Sequence, residues 1–371
     1  MAQPARQVPY VNFAAQFDEE RAEITALVER VFARGEFVGG AAVDALEAEL
    51  AAYIGVRHVV ALNSGTDALI LGMRALGLGP GDEVITPPNS FVASTAAIVA
   101  VGAKPVFADV RDDQNIDPDA IAAAVTPATR AIMPVHLTGR VADMRPIMEI
   151  AARHGLAVIE DAAQSIGSRY EERQAGSFGT IACFSGHPLK NLNAAGDAGF
   201  VATNRDDVAR TIRLLRNHGL VDRNTVEVWG TVSRMDVLQA ELLRLRLARL
   251  DSIIERRRLN AEMYRRLLQN VPVFIPPCRN QEFNTFHVFV IQAERRDALQ
   301  AHLAQGGIGT AVHYPVPIHL QPAAKALGYR RGDFPVTEQQ AERILSLPIH
   351  QFMGGEDQAY VADKIREFYA A

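Results

Sequence analysis

Apolar positions near the start of the chain recur at helical spacing. Ile24, Leu27, Val28, Val31 and Phe32 form one set, and Val43, Leu46, Leu50 and Tyr53 a second, which predicts two amphipathic helices. From His58 the texture changes to short apolar runs alternating with helical segments. The runs predict strands over 58–62, 83–86, 104–108, 130–135, 157–161, 180–185 and 199–203, with helices over 67–76, 92–101, 119–124 and 143–154. Asp117-Pro118 ahead of the third of these helices supplies a capping carboxylate and a proline suited to the first turn. Strands alternating with helices predict an α/β unit: a mostly parallel sheet sandwiched by helices.

The pattern changes again after Asn204. Residues 205–218 read as a helix, and 236–270 as one long or kinked helix rich in Leu and Arg. A strand at 285–291, a helix at 295–305, a proline-rich turn at 313–317 and helices at 338–344 and 356–369 follow. The expected division is a large domain over 1–245, including the N-terminal helices, and a smaller C-terminal α+β domain over 246–371. A chain of 371 residues has room for both.

Composition changes this picture little. A net charge of −5 argues against a general nucleic-acid surface. Cys183 and Cys278 are the only cysteines, too few for a disulfide framework or a cysteine-rich zinc site, and no metal is expected. The stretch 91–103 is too short and too interrupted to span a bilayer, and Met1 to Pro9 lack an apolar signal core. A cytoplasmic protein is expected.

The candidate chemistry lies in three segments of the predicted α/β unit. Asn63-Ser64-Gly65-Thr66-Asp67 follows a strand and opens a helix, which suits either a plain capping turn or a phosphate held on free N–H groups. Asp161 closes the apolar run Ala157-Val158-Ile159-Glu160-Asp161, and either caps the next helix or serves a ligand; the adjoining Glu160 blurs the choice. Lys190 lies in Ser185-Gly186-His187-Pro188-Leu189-Lys190, as a solvated loop lysine or a nucleophile. Taken in order, the three point to pyridoxal phosphate. A lysine amine forms a Schiff base with the cofactor aldehyde, and an aspartate keeps the pyridine nitrogen protonated. In such folds ligands gather outside the carboxyl ends of the strands, where all three segments fall. Ser185 adds a hydroxyl there. Phe91, after the strand at 83–86, is either a stacking ring or a core residue. His313-Tyr314-Pro315-Val316-Pro317-Ile318-His319 offers polar rings on a rigid turn, for substrate contact or for structure, without the carboxylate or third ligand a metal needs.

Together these residues resemble the DegT/DnrJ/StrS family of sugar aminotransferases. The likeness runs from Phe37-Val38-Gly39-Gly40 to Leu345-Ser346-Leu347-Pro348. It includes Pro134-Val135-His136-Leu137-Thr138-Gly139, Asp161-Ala162-Ala163-Gln164-Ser165 and Arg216-Asn217-His218-Gly219. The resemblance implies a fold-type I pyridoxal phosphate-dependent transferase and assigns the site as follows. Lys190 carries the cofactor, Asp161 meets the pyridine nitrogen, Gln164 approaches the ring hydroxyl, and Phe91 stacks on the ring. Gly65, Thr66 and Ser185 hold the phosphate, and His313, Tyr314 and His319 contact substrate. It also implies a homodimer whose active sites are completed by the partner, and an amino group passing from L-glutamate through pyridoxamine phosphate to a nucleotide-linked keto sugar, at C3. One position departs from the pattern. Val232 stands where the family commonly has an asparagine that reaches the partner's cofactor phosphate, so either cofactor affinity falls or Ser233 substitutes.

Three competing readings share the fold. Related sugar 3-dehydratases carry histidine where Lys190 stands, which argues against that chemistry. A keto-cyclitol aminotransferase differs only in its acceptor. Keeping Lys190, Asp161, Gln164 and Ser185 together argues against a non-catalytic regulatory or sensory protein, which the fold alone would not exclude.

Overall fold

A computed structural model describes residues 6–370; the first five residues, read above for a signal segment, lie outside these. In chain order the elements are α1 (Phe13–Arg34), α2 (Ala41–Ile54), β1 (His58–Leu62), α3 (Gly65–Ala75), β2 (Glu83–Thr86), α4 (Val92–Ala100), β3 (Lys104–Phe107), α5 (Pro118–Ala124), β4 (Thr129–Ile132), α6 (Met144–His154) and β5 (Ala157–Asp161). There follow β6 (Arg169–Tyr170), β7 (Arg173–Gln174), β8 (Ile181–Ser185), β9 (Gly199–Thr203), α7 (Asp206–Leu215), α8 (Val237–Leu247) and α9 (Leu250–Leu267). The last are β10 (Val273–Phe274), β11 (Glu282–Phe283), β12 (Phe289–Ala293), α10 (Arg296–Gln305), α11 (Pro335–Arg343), β13 (Ile344–Leu347) and α12 (Gly355–Ala370).

Seven strands form the main sheet in the order β1-β9-β8-β5-β4-β2-β3. β9 runs antiparallel to both its neighbours and the rest are parallel. Alternation along the strands feeds a core on each face. Val60, Leu62, Val84, Ala131 and Ile159 pack with α3, α4 and α7. On the other face Val59 and Ala61 pack with α2 and α8, while Ile85, Ile132 and Val158 pack with α5 and α6. The expected mostly parallel sheet between helices is therefore present, and its strands match the predicted runs to within three residues at each end.

The carboxyl half departs more from expectation. The helix expected over 236–270 is two, α8 and α9, broken at Ala248-Arg249, where Arg249 N–H bonds the carbonyl three residues back (3.1 Å) instead of four. The strand expected from 285 begins at Phe289, because the preceding backbone is bonded elsewhere: Thr285 N–H donates to the Gly139 carbonyl at 3.0 Å. A strand not expected at all, β13, pairs antiparallel with β12 straight after α11. These strands, α9, α10, α12 and Val8 share a separate core. α9 belongs to both sides: Leu250 and Ile254 lie in the core against the main sheet, Ala261 and Tyr264 in the other. We propose that the boundary between the two domains lies on this helix.

Candidate active site

The parallel strands of the main sheet end at one cavity of about 460 Å³, lined by Gly65, Thr66, Phe91, Asp161, Gln164, Ser185 and Lys190 from this side and by His313 and Tyr314 from the other. Nine of the ten residues singled out in the sequence thus converge. His319 does not join them. Its ring is buried, its Nε2 lies 3.0 Å from Glu338 Oε1, and it meets Phe334 edge to face. Its expected contact with substrate is corrected to a structural role, because the ring is fixed against Glu338 and Phe334 and away from the cavity lining.

Period-two geometry resolves the pair at the end of β5. Glu160 and Asp161 point to opposite faces. Glu160 accepts from the N–H groups of Gly176, Phe178 and Gly179 and faces His136 Nε2 at 2.9 Å, so it ties down a loop. Asp161 faces the cavity. Its Oδ2 accepts from Ser94 Oγ (2.6 Å) and its Oδ1 from Ala163 N–H (3.2 Å). Burial pushes the Asp161 carboxyl above its ordinary range, against the pull of Ser94, Ala163 N–H and the Lys190 charge. Lys190 sits on a turn closed by its own N–H to the His187 carbonyl (2.8 Å). Burial pulls its amine down to about 8, with Asp161 opposing.

The first turn of α3 sits on the ends of β8 and β9. Ser64 caps it, its Oγ accepting from Asp67 N–H at 3.1 Å, and the first N–H groups, those of Gly65 and Thr66, have no carbonyl one turn back to bond. The approach is close: a Cβ on Gly65 would lie 2.7 Å from Ser185 Cβ, and one on Gly199 would lie 2.2 Å from the Ser64 carbonyl carbon. Only glycine permits either contact. Gln164 is held from behind, its Oε1 accepting from Thr138 N–H at 2.8 Å. Phe91 leaves 55% of its surface exposed, so it is no core residue, and its ring lies 5.8 Å from that of Tyr314. His313 is fixed by Ser346 Oγ, 2.9 Å from Nδ1, and burial pulls it down to about 4.

Ser94, Thr138 and Ser346 were not foreseen. They position the foreseen residues: nothing marks Ser94, since a serine inside an apolar helix looks like any other small residue, while Thr138 and Ser346 stand in segments quoted above for the family resemblance without a role of their own. Arg257, His287 and His350 also line the cavity unforeseen.

Pyridoxal phosphate fits these residues. A buried carboxylate whose ionisation is penalised wants a cationic partner, which a protonated ring nitrogen would supply. A helix start backed by Ser185 suits its phosphate, and a lysine amine partly neutral at pH 7 suits its aldehyde.

Comparison with known proteins agrees. The model of the DegT/DnrJ/EryC1/StrS aminotransferase family matches residues 18–366. The chain belongs to this family. It is 43% identical over 366 residues to a pleiotropic regulatory protein of Geobacillus stearothermophilus, covering 98% of each chain. It is 42% identical over 364 residues to dTDP-3-amino-3,4,6-trideoxy-α-D-glucose transaminase of Streptomyces venezuelae, covering 98% of this chain and 96% of the relative. The crystal structure of S. venezuelae DesV in complex with a ketimine intermediate superposes with a TM-score of 0.96 at 42% identity, over 99% of this chain and all of that one. The protein is a pyridoxal phosphate-dependent sugar aminotransferase.

Proposed function

We propose that this aminotransferase takes the amino group of L-glutamate and delivers it to C3 of a nucleotide-linked keto sugar. The observation that carries the reading is the convergence of Lys190 and Asp161 on one cavity with the open helix start of Gly65 and Thr66. The activity for which the S. venezuelae transaminase is named supports the choice of a 3-keto nucleotide sugar.

Pyridoxal phosphate, when bound, supplies an aldehyde that an amine can occupy and a ring that withdraws electrons from the carbon attached to that amine. The protein's own part is to hold and to move protons. In this proposal Asp161 keeps a proton on the ring nitrogen, steadied by Ser94 and Ala163 N–H. Gly65, Thr66 and Ser185 bind the phosphate, and Gln164, braced by Thr138, meets the ring hydroxyl. Phe91 covers the ring. Lys190 Nζ would hold the cofactor at its aldehyde carbon and would carry the proton at the donor's α-carbon; burial suits it to this by making its neutral form accessible near pH 8. His313 and Tyr314 face the acceptor sugar.

The working form in this proposal is a cytoplasmic homodimer. Among the described residues no helix is long and apolar enough to cross a membrane. Phe91, Leu189, Trp229 and Val232 are exposed apolar side chains, the first two at the cavity, and a second copy would cover them. Ser233 is not free to replace the missing asparagine at 232. It is fully buried and its Oγ donates to Asn63 Oδ1 of its own chain at 3.1 Å.

The test is an absorption spectrum of the purified protein before and after L-glutamate, then product analysis with dTDP- and UDP-linked 3-keto sugars. A visible band bleached by glutamate and restored by a keto sugar supports the proposal. A band restored only by keto-cyclitols would replace its acceptor, and a band unmoved by any donor would overturn it.

A further inference from the structure

Two lysine or arginine side chains line the cavity, and the mechanism above uses one of them. The other, Arg257, lies midway along α9 and is 8% exposed. Its Nη1 donates to the carbonyls of Phe286 and His287, both at 3.2 Å, and its buried Nε–H has no partner. No carboxylate offsets its charge: burial alone pulls the guanidinium down, to about 10, and the one opposing influence is the Tyr10 phenol. At that value it stays charged at neutral pH. A buried charge of this kind is costly unless something neutralises it.

Its surroundings are also unfinished. His287 and His350 both line the cavity with a buried, unpartnered Nδ1. The charges of Lys190 and Arg257 both act on His287, and with burial they hold it neutral. His350 Nε2 lies 3.2 Å from the Pro9 carbonyl, which accepts its proton and leaves Nδ1 as an acceptor. The wall therefore presents a cation that no carboxylate neutralises and whose Nε–H is unpartnered, beside two imidazoles each with an unpartnered Nδ1. A planar guanidinium suits a carboxylate in particular.

We propose that Arg257, with His287 beside it, forms the subsite that receives a carboxylate of the amino donor. The inference rests on the donor half-reaction proposed above. The donor is the reactant that must bring both an amine and a carboxylate close to Lys190, and His287 feels the charges of Lys190 and Arg257 alike. Arg257 is thus a binding residue that orients the donor; it takes no part in proton transfer.

The experiment follows bleaching of the cofactor band by L-glutamate in the wild-type holoenzyme and in Arg257→Gln and Arg257→Lys. The half-saturating concentration should rise about ten- to hundredfold in Arg257→Gln and less in Arg257→Lys, while affinity for UDP, a nucleoside diphosphate probe, stays unchanged. Glutarate should compete with L-glutamate in the wild type and its diamide should not, a result independent of whether either variant folds. Glutamate saturation unchanged in a folded variant, or no competition by glutarate, would overturn the proposal. Weakened UDP binding with unchanged glutamate saturation would assign Arg257 to the acceptor's anionic group and overturn it too. A wild type unresponsive to glutamate, glutamine and aspartate would overturn the donor half-reaction itself. A responsive wild type matched by Arg257→Gln overturns this inference alone.

Discussion

The two walls of the cavity are built on different terms. On the sheet side, the residues assigned to the cofactor meet partners within the wall, Asp161 with Ser94 and Gln164 with Thr138, and Ser64 caps the first turn of α3, although Asn191 Oδ1 beside Lys190 has none. On the other side Arg257, His287 and His350 each keep a buried polar atom unpartnered. A wall satisfied from behind holds one geometry whether or not a ligand is present, which suits a cofactor that never leaves. A wall with open valences is completed only by what enters and departs at each turnover. Resident and visitor are met by opposite physical arrangements.

The sheet wall should break most severely at Lys190. Lys190→Ala should lower turnover by about a thousandfold or more, as expected when a positioned base is lost, with the fold intact by circular dichroism. Asp161→Asn, which keeps an acceptor for Ser94 but drops the charge, should lower the rate of the glutamate half-reaction by about a hundredfold in stopped-flow traces. Gly65→Ala drives a methyl into Ser185 and should cost about 1–3 kcal/mol of stability. Ser185→Gly in the same chain should restore most of it in denaturant titrations, although the hydroxyl is lost. The smallest effect is one of pH. The neutral amine of Lys190 takes up pyridoxal phosphate, and its pKa is lowered to about 8. Covalent uptake by apoenzyme, followed by absorbance, should therefore quicken about tenfold between pH 7 and pH 9. A lysine at its ordinary value would still be accelerating beyond pH 10. Sluggish uptake throughout with a linear pH response would remove the distinction between the walls.

How much of each wall could be read in the sequence follows from the same contrast. The sheet wall was legible because its residues sit at fixed places in a repeating unit: the last residue of a strand, the first of a helix, a glycine-rich turn. Strand periodicity even decides between Glu160 and Asp161, once the strand end is known. Of the other wall only the turn holding His313 and Tyr314 was legible, because Arg257, His287 and His350 come from a helix interior, a loop and the segment after β13, and only tertiary packing joins them. Arg257 stands second in Arg256-Arg257-Arg258, a run that reads as a solvated helix face, and only the packing of α9 turns its side chain inward. His319 failed for the converse reason: it shares a turn with His313, yet the short 3₁₀ turn at Ile318–Leu320 rotates it toward Glu338.

Because Leu250 and Ile254 anchor one end of α9 beside the main sheet while Ala261 and Tyr264 anchor the other among the carboxyl-terminal strands, Arg257 lies on the helix shared by two cores. Pull on that residue is felt at both anchorages. A donor held by the guanidinium, as proposed above, would brace both ends of α9, and hydrogen exchange along α9 should slow while glutarate is bound. Selectivity for the small reactant and rigidity of the whole enzyme would then be adjusted through one helix.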